Sequence, residues 1–369
     1  MMTNLKAYFP MLPEREALLT RIRNSPELFS VFQTWKKDDQ EYFLDFCTGA
    51  RGIKILYDSF FKEVMNPEYS RERLAAFLSA VLQRNVKIVR ILPNDSTRIS
   101  DETSLLITDI IVELEDGSLA NVEVQKIGYA FPGERCACYS SDMLLRQYKR
   151  VRSASGDEFA YNQIRNVYLI VLYEKSPKEF KKFPKEYFHY SRQIFDTGLQ
   201  LNLLQEYIMI PLDIFRLNMD NKSIETPLEA WLTFFSDDRP EKIIELITKY
   251  PDFKAMYETL YQMCQNVEKV MGMFSEELRI LDRNTVKYMV EEQQQEIDAL
   301  HAKLEQRDTM IEQQNTQIKQ RDAQIKQQNA QIEQLNNIIL TLNQRLEVIE
   351  QKFKSLQIEC PSQIKDKPF

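Results

Sequence analysis

From Ile297 onward the chain repeats: Ile297, Leu304, Ile311, Ile318, Ile325, Ile332, Ile339, Leu346 and Phe353 recur every seven residues without a break. A sustained apolar heptad keeps one narrow stripe along a helix and is the signature of helices that wind around one another. Near-identical heptads, QIKQRDA, QIKQQNA and QIEQLNN, lie inside the run. Towards its C-terminal end the companion positions Leu335, Leu342 and Ile349 are apolar too, giving Ile/Leu seams suited to a parallel dimer. Nearer its start the companions are Arg307, Gln314, Arg321 and Gln328, so that half of the seam is weaker. A helix this polar needs a partner to hold its stripe. A homo-oligomer through residues 297–353 is therefore expected, built on a rod about 85 Å long at about 1.5 Å per residue.

The rest of the chain has the makings of a core: 43% of all residues are apolar and 11% aromatic. The longest apolar runs are short, such as Val167 to Tyr173, so no membrane span is expected. The first residues, MMTNLKAYFPMLPERE, carry no basic stretch followed by an apolar one, so no secretory signal is read and a soluble, cytoplasmic protein is expected. Five scattered cysteines agree with reduced thiols, and the pair Cys136/Cys138 lacks the further soft ligands that a zinc site needs.

Scarcity excludes whole classes of chemistry. There are two histidines, His189 and His301, and the second lies in the heptad region, so a serine or cysteine triad has almost no base to draw on. Eight glycines, with no G-x-G-x-x-G and no G-x-x-x-x-G-K, argue against a nucleotide cofactor. Carboxylates, lysines and arginines are plentiful, which suits metal-assisted hydrolysis. The net charge of −7 neither requires nor excludes a nucleic-acid partner, because a local patch can bind phosphate despite it.

Pattern changes divide the chain at about 50, 225, 290 and 356: an N-terminal helical segment (1–50), a mixed α/β domain (51–225), a second helical segment (226–290), the coiled coil (291–356) and a flexible tail (357–369). Amphipathic helices are expected over Glu14–Arg23, Pro26–Lys37, Ile53–Val64, Ser70–Leu82 and Glu134–Arg150. Strands are expected over Val86–Leu92, Leu105–Leu114, Leu119–Gln125, Asn166–Tyr173 and Tyr207–Leu212.

The segment from Ile107 to Gln125, ITDIIVELEDGSLANVEVQ, places two strands around an E-D-G turn. A three-residue loop with Gly117 left-handed pairs Leu114 with Ser118, and then Asp109 faces Glu123, Ile107 faces Gln125 and Ile111 faces Asn121. Alternation supports that register. One face carries Ile110, Val112, Leu114, Ala120, Val122 and Val124; the other carries Asp109, Glu113, Asn121, Glu123 and Gln125. A two-residue loop would split Asp109 and Glu123 between faces. Opposed carboxylates repel unless a cation lies between them, and a hard divalent ion takes such oxygen ligands readily. A polar, salt-bridged solvent face is the competing reading of the same pattern.

The Asp–hairpin–Glu-x-Gln arrangement resembles the PD-(D/E)XK nuclease superfamily, specifically its transposase-associated, recombination-promoting branch. Asp58, Phe61 and Lys62 match that branch's D-x-x-F-K helix, the leucine-rich helix with Leu74, Phe77 and Leu82 follows, and Arg135, Tyr139 and Gln147 match its R…Y…Q helix. The similarity spans roughly residues 45 to 215. It implies a restriction-endonuclease-like mixed sheet flanked by helices, DNA as substrate, Mg²⁺ or Mn²⁺ as cofactor, and a link with mobile elements or recombination. Asp109 and Glu123 would ligate the metal. Gln125 stands where the wider superfamily has lysine, and Thr108 where the motif's name has proline; Lys126 points to the opposite face of its strand. Asp58 and Lys62, four apart on one helix face, either approach the metal site or pair with each other. Arg135, Tyr139, Asp142 and Arg146 share a helix face that either contacts DNA phosphates or forms an ion-pair stripe. The basic run KSPKEFKKFPK, Lys175 to Lys185, either tracks a nucleic-acid backbone or is a solvated loop. A metal-dependent DNA endonuclease is the reading these residues favour; a catalytically inactive DNA-binding or coiled-coil scaffold derived from one is the alternative.

Overall fold

Local punctuation sets where the helices begin and end. Pro26 opens α2 (Pro26–Thr34) behind a Ser25 cap whose hydroxyl accepts from the Leu28 amide at 3.4 Å, which separates it from α1 (Arg15–Asn24). The amphipathic run expected to reach Lys37 breaks at Trp35, and α3 (Lys37–Thr48) starts afresh before stopping at a left-handed Gly49, φ 76°. The computed structural model describes residues 5–66, 68, 70–92, 109–126 and 133–358, with backbone alone at 58, 109, 283–292, 295, 296, 299, 357 and 358. The expected strand start at Leu105–Thr108 and the tail beyond 358 lie outside the described residues.

α4 (Asp58–Met65) and α5 (Arg71–Leu82) lead into a six-stranded mixed sheet. Its strands are β1 (Ile88–Leu92), β2 (Asp109–Leu114), β3 (Leu119–Gln125), β4 (Val167–Tyr173), β5 (His189–Ser191) and β6 (Gln205–Pro211), in the order β1-β2-β3-β4-β6-β5. The hairpin strands β2 and β3 are antiparallel, while β4 and β6 run parallel to β3. The connection from β3 to the parallel β4 carries α6 (Gly133–Ser155), as parallel pairing requires a crossover. After the sheet come α7 (Leu212–Met219), α8 (Pro227–Ser236), α9 (Pro240–Lys249), α10 (Asp252–Met263) and α11 (Val267–Ile358). Both α8 and α9 begin with proline at the first helical position, and α8 has a reciprocal Thr226/Glu229 capping box.

The two faces of the sheet are buried differently. One face, with Ile110, Val112, Ala120, Val122, Ile170 and Ile210, joins a large core filled by α1–α5, α7–α10 and the first turns of α11. The other, with Ile111, Leu119, Val167, Leu169 and Val171, is covered by Cys136, Tyr139 and Met143 of α6. Residues Met1–Asn284 form one compact unit, so the core runs across the pattern changes at 50 and 225. The second unit, Thr285–Phe369, is described by the remainder of α11, on which Ile311, Ile318, Ile325 and Ile332 are 51–55% exposed. Among the described residues no helix is long and apolar enough to cross a membrane.

Where β3 ends, Lys126 crosses to the large-core side. Its side chain is 3% exposed, and its ammonium pairs with the similarly buried Glu277 of α11 and lies 5.1 Å from the Tyr57 ring centre. Breaking such a pair leaves a buried charge uncompensated, at a cost of about 3–5 kcal/mol. Lys126→Met should lower unfolding stability in urea by about that much, whereas Lys126→Met with Glu277→Leu should recover most of it. Equal losses in the single and double variants would show that the pair does not tie α11 to the sheet.

Candidate active site

The hairpin turn fixes the site. Gly117 has φ 80°, a conformation that glycine adopts without steric cost, its amide donates to the Leu114 carbonyl at 2.9 Å, and Leu114 N donates to Ser118 O at 2.8 Å. The loop therefore has three residues, and the ladder that follows pairs Asp109 with Glu123, Ile111 with Asn121 and Glu113 with Leu119. Counting five steps from the hydrogen-bonded pair at the turn, Asp109/Glu123 falls at a non-hydrogen-bonded position, where facing Cα atoms come to about 4.5 Å. From Asp109/Glu123 to the turn, the expected register and division of faces are those observed; the expected pairing of Ile107 with Gln125 lies outside the described residues. Asp109 is placed by its backbone; its carboxylate lies outside the described side chains.

The acidic face is not a solvent face. Asn121 is 2%, Glu123 0% and Gln125 1% exposed, all beneath α6. Asn121 Nδ2 donates to Glu123 Oε1 at 3.0 Å. Cys136, on α6, and Tyr173, at the end of β4, are hydrogen-bonded to each other beside Glu123. Burial, reinforced by the Glu123 charge, pushes the Cys136 thiol up to about 12, which keeps it a neutral thiol. Burial, with Cys136 and Glu123 adding to it, also raises Tyr173. Glu113, on the same face nearer the turn, is held by two guanidinium groups, Arg90 Nε and Arg150 Nη1, each 3.2 Å from its Oε2.

These residues fit a hard divalent cation. The face offers the Asp109 position, the Glu123 carboxylate and the Asn121 amide, an all-oxygen donor set. Asn121 Oδ1 and Gln125 Nε2 are buried without a hydrogen-bond partner among the described residues, and an unmet buried polar group costs about 1–3 kcal/mol. Among the described side chains no three His, Cys, Asp or Glu groups cluster closely enough to hold a metal; the Asp109 carboxylate is not one of those described.

The other residues singled out in the sequence separate into groups. Arg135 folds onto Tyr139, its Nη2 donating to the phenol oxygen at 2.9 Å, and Tyr139 itself is buried between α6 and the sheet. Arg146 pairs with Asp142 at 2.7 Å, both half-buried. Gln147 is buried and bonded at both ends: its Nε2 donates to the Gly117 carbonyl at 2.8 Å, and its Oε1 accepts from the Arg165 amide at 2.9 Å. Its place is that of a support for the turn. Lys62 is exposed on α4, whose Phe60, Phe61, Val64 and Met65 lie in the core on the opposite face of the sheet; the Asp58 side chain lies outside the described residues. The sequence reading missed Cys136 and Tyr173 as the lining of the Glu123 pocket. The stripe Cys136, Tyr139, Ser140, Met143 and Gln147, at spacings of three and four, was the signal that could have revealed it.

A family model for PD-(D/E)XK nuclease family transposases matches residues 55–290, more than half of the chain. That span runs from just before α4 into α11, so the helices after β6 fall within the matched region along with the hairpin and α6. No curated protein and no solved structure matches the chain.

Gln147→Leu removes both bonds to the turn and leaves the Gly117 carbonyl and the Arg165 amide unmet. Stability should fall by about 2 kcal/mol in denaturant titration, with metal-free DNA affinity unchanged. A loss of DNA affinity at wild-type stability would instead make Gln147 a contact residue.

Proposed function

The chain belongs to the PD-(D/E)XK nuclease family transposases, and from that premise we propose that it is a metal-dependent endonuclease, hydrolysing phosphodiester bonds within DNA with Mg²⁺ or Mn²⁺ held by Asp109 and Glu123. The observation that carries this reading is the antiparallel pairing of Asp109 with Glu123 on a face closed off from solvent. When bound, the cation supplies Lewis-acid activation of the attacking water and offsets charge building on the phosphate.

The chain's own groups do the rest. Glu123 is oriented by the Asn121 amide, which fixes one carboxylate oxygen and so the direction of the other. Gln125, in the place of a lysine, contributes an amide donor whose buried Nε2 has no partner among the described residues. A phosphoryl oxygen or the attacking water satisfies it, which makes its role hydrogen bonding without added charge. Arg135 and Arg146, along the edge of α6, are assigned to DNA phosphates, with Tyr139 holding Arg135 in place. The coil over residues 291–356 is assigned to assembly: its apolar stripe, exposed in a single chain, is met by the same stripe of a second copy in a parallel dimer.

Purified protein should nick supercoiled plasmid in Mg²⁺ or Mn²⁺. Asp109→Ala and Glu123→Ala should each reduce the rate by about 100-fold or more, and Gln125→Ala by about tenfold. Plasmid left intact by the wild type, with DNA still bound, would sink the hydrolytic reading in favour of a binding scaffold. For the coil, light scattering of a chain ending near residue 290 should give a monomer mass where the full chain gives a dimer. An assembly of unchanged stoichiometry in the shortened chain would refute that assignment.

A further inference from the structure

The loop that follows β4 carries five lysines and two phenylalanines between Lys175 and Lys185, in a chain whose net charge is −7. It is pinned at both ends. Ser176 donates to Asp213 Oδ2 through its amide at 3.1 Å and its hydroxyl at 3.2 Å, Lys181 pairs with the same carboxylate, and the Pro184 carbonyl accepts from Asn218 Nδ2 at 2.8 Å. Lys175, Lys178, Lys182 and Lys185 are exposed, with no ion pair among the described residues. A loop held this firmly presents its cations in a fixed array and not as a solvated tether.

The aromatic side chains within and beside the loop divide into an anchor and a platform. Phe180 packs on Tyr173, ring centres 5.2 Å apart, and His189 lies against it at 5.0 Å. Phe183 stacks its edge towards the same His189 at 6.0 Å, yet 55% of it is exposed between Lys182 and Lys185. The position of the loop adds direction. Register places Gln125 beside Tyr173, at the carboxyl ends of the parallel strands β3 and β4, so the loop leaves the sheet one strand away from the Glu123–Gln125 segment. Carboxyl ends of parallel strands are where ligands approach such sheets.

We propose that the segment 175–185 is a binding surface for single-stranded nucleic acid, with Lys178, Lys182 and Lys185 on successive phosphates and Phe183 as the ring on which an unpaired base stacks. The pairing of an exposed ring with flanking cations is what unpaired strands use, because every base has a stacking face and a duplex hides it. An anionic lipid surface would meet the lysines equally, but not the location beside the acidic pocket. The assignment of this surface to the substrate's path rests on the nuclease reading above, while the binding itself does not.

The test is fluorescence anisotropy of the full chain with a labelled oligonucleotide in EDTA, single-stranded and as a duplex. Replacing Lys178, Lys182 and Lys185 together by Gln should weaken binding at least tenfold. It should also shrink the slope of log affinity against log salt by about 2, at about 0.7 per lost phosphate contact on a single strand. Phe183→Ala should weaken the single strand by about tenfold and leave the duplex unchanged. Unchanged salt slope in the triple variant, or unchanged single-strand affinity in Phe183→Ala, overturns the proposal. So does capture by phosphatidylserine vesicles that the oligonucleotide fails to compete away. Because no cleavage is read, a plasmid that is never nicked alongside an oligonucleotide that still binds here would defeat the hydrolytic reading and leave this one standing.

Discussion

One backbone conformation decides which side chains share a face: the left-handed Gly117 in a three-residue turn. With side chains alternating along a strand, a loop one residue shorter would move Asp109 to the other side from Glu123 and drive Ile110, Val112 and Leu114 out of the large core. Turn, core and acidic face are thus three consequences of one geometry. The helix that covers the acidic face is attached to the same turn, because Gln147 of α6 holds the Gly117 carbonyl. That hydrogen bond joins the cover of the site to the turn that sets its register.

Burial gives that face its chemistry. A carboxylate under α6, its charge adding to the burial that raises a thiol and a phenol nearby, acts over a range that solvent would screen at an exposed site. Two acids on that face are treated differently. Glu113 is matched by Arg90, brought opposite it by an irregularity in the β1–β2 register, and by Arg150 reaching from α6. Glu123 accepts from the neutral amide of Asn121.

What could be read beforehand follows the range of the forces involved. The hairpin was legible because its evidence is local: turn chemistry at Gly117 and alternation on both sides of it. The heptad run was legible for the same reason. The partner of a face was not. The pattern Asp109, Glu113, Asn121, Glu123, Gln125 looks the same whether it meets water or a helix, and only the return of α6 across the sheet decides that it is buried. The helix expected from Ile53 starts at Asp58, because the preceding stretch is held from elsewhere, Gly52 bonding to the Asp238 carbonyl at 2.7 Å so closely that a side chain there would collide with Ile243. The three-residue β5 escaped notice because its pairing with β6, and not its own pattern, makes it a strand. From the sequence the helices after residue 226 either pack on the sheet domain or form a unit of their own, because Phe234, Tyr257 and Phe274 reveal their partners only in the common core.

α11 shows the same limit from the other direction, since its sequence changes period within one helix. At its start Val267, Val270, Met271 and Phe274 are buried at spacings of three and four, the broad stripe that a helix presents to a globular core. From Ile297 the apolar positions settle to one every seven, with a second apolar series only from Leu335, and these side chains are 44–66% exposed through Phe353. A stripe so narrow is too thin to hold a helix against a sheet and too long to be an ordinary surface, because scattered apolar residues are common but an unbroken line of them marks contact. The complement it fits is another helix with the same period, and the Ile and Leu at paired positions near its end are what a two-stranded seam uses. In the proposed dimer the change of period is a change of partner, from the chain's own core to an identical chain, written into a single helix.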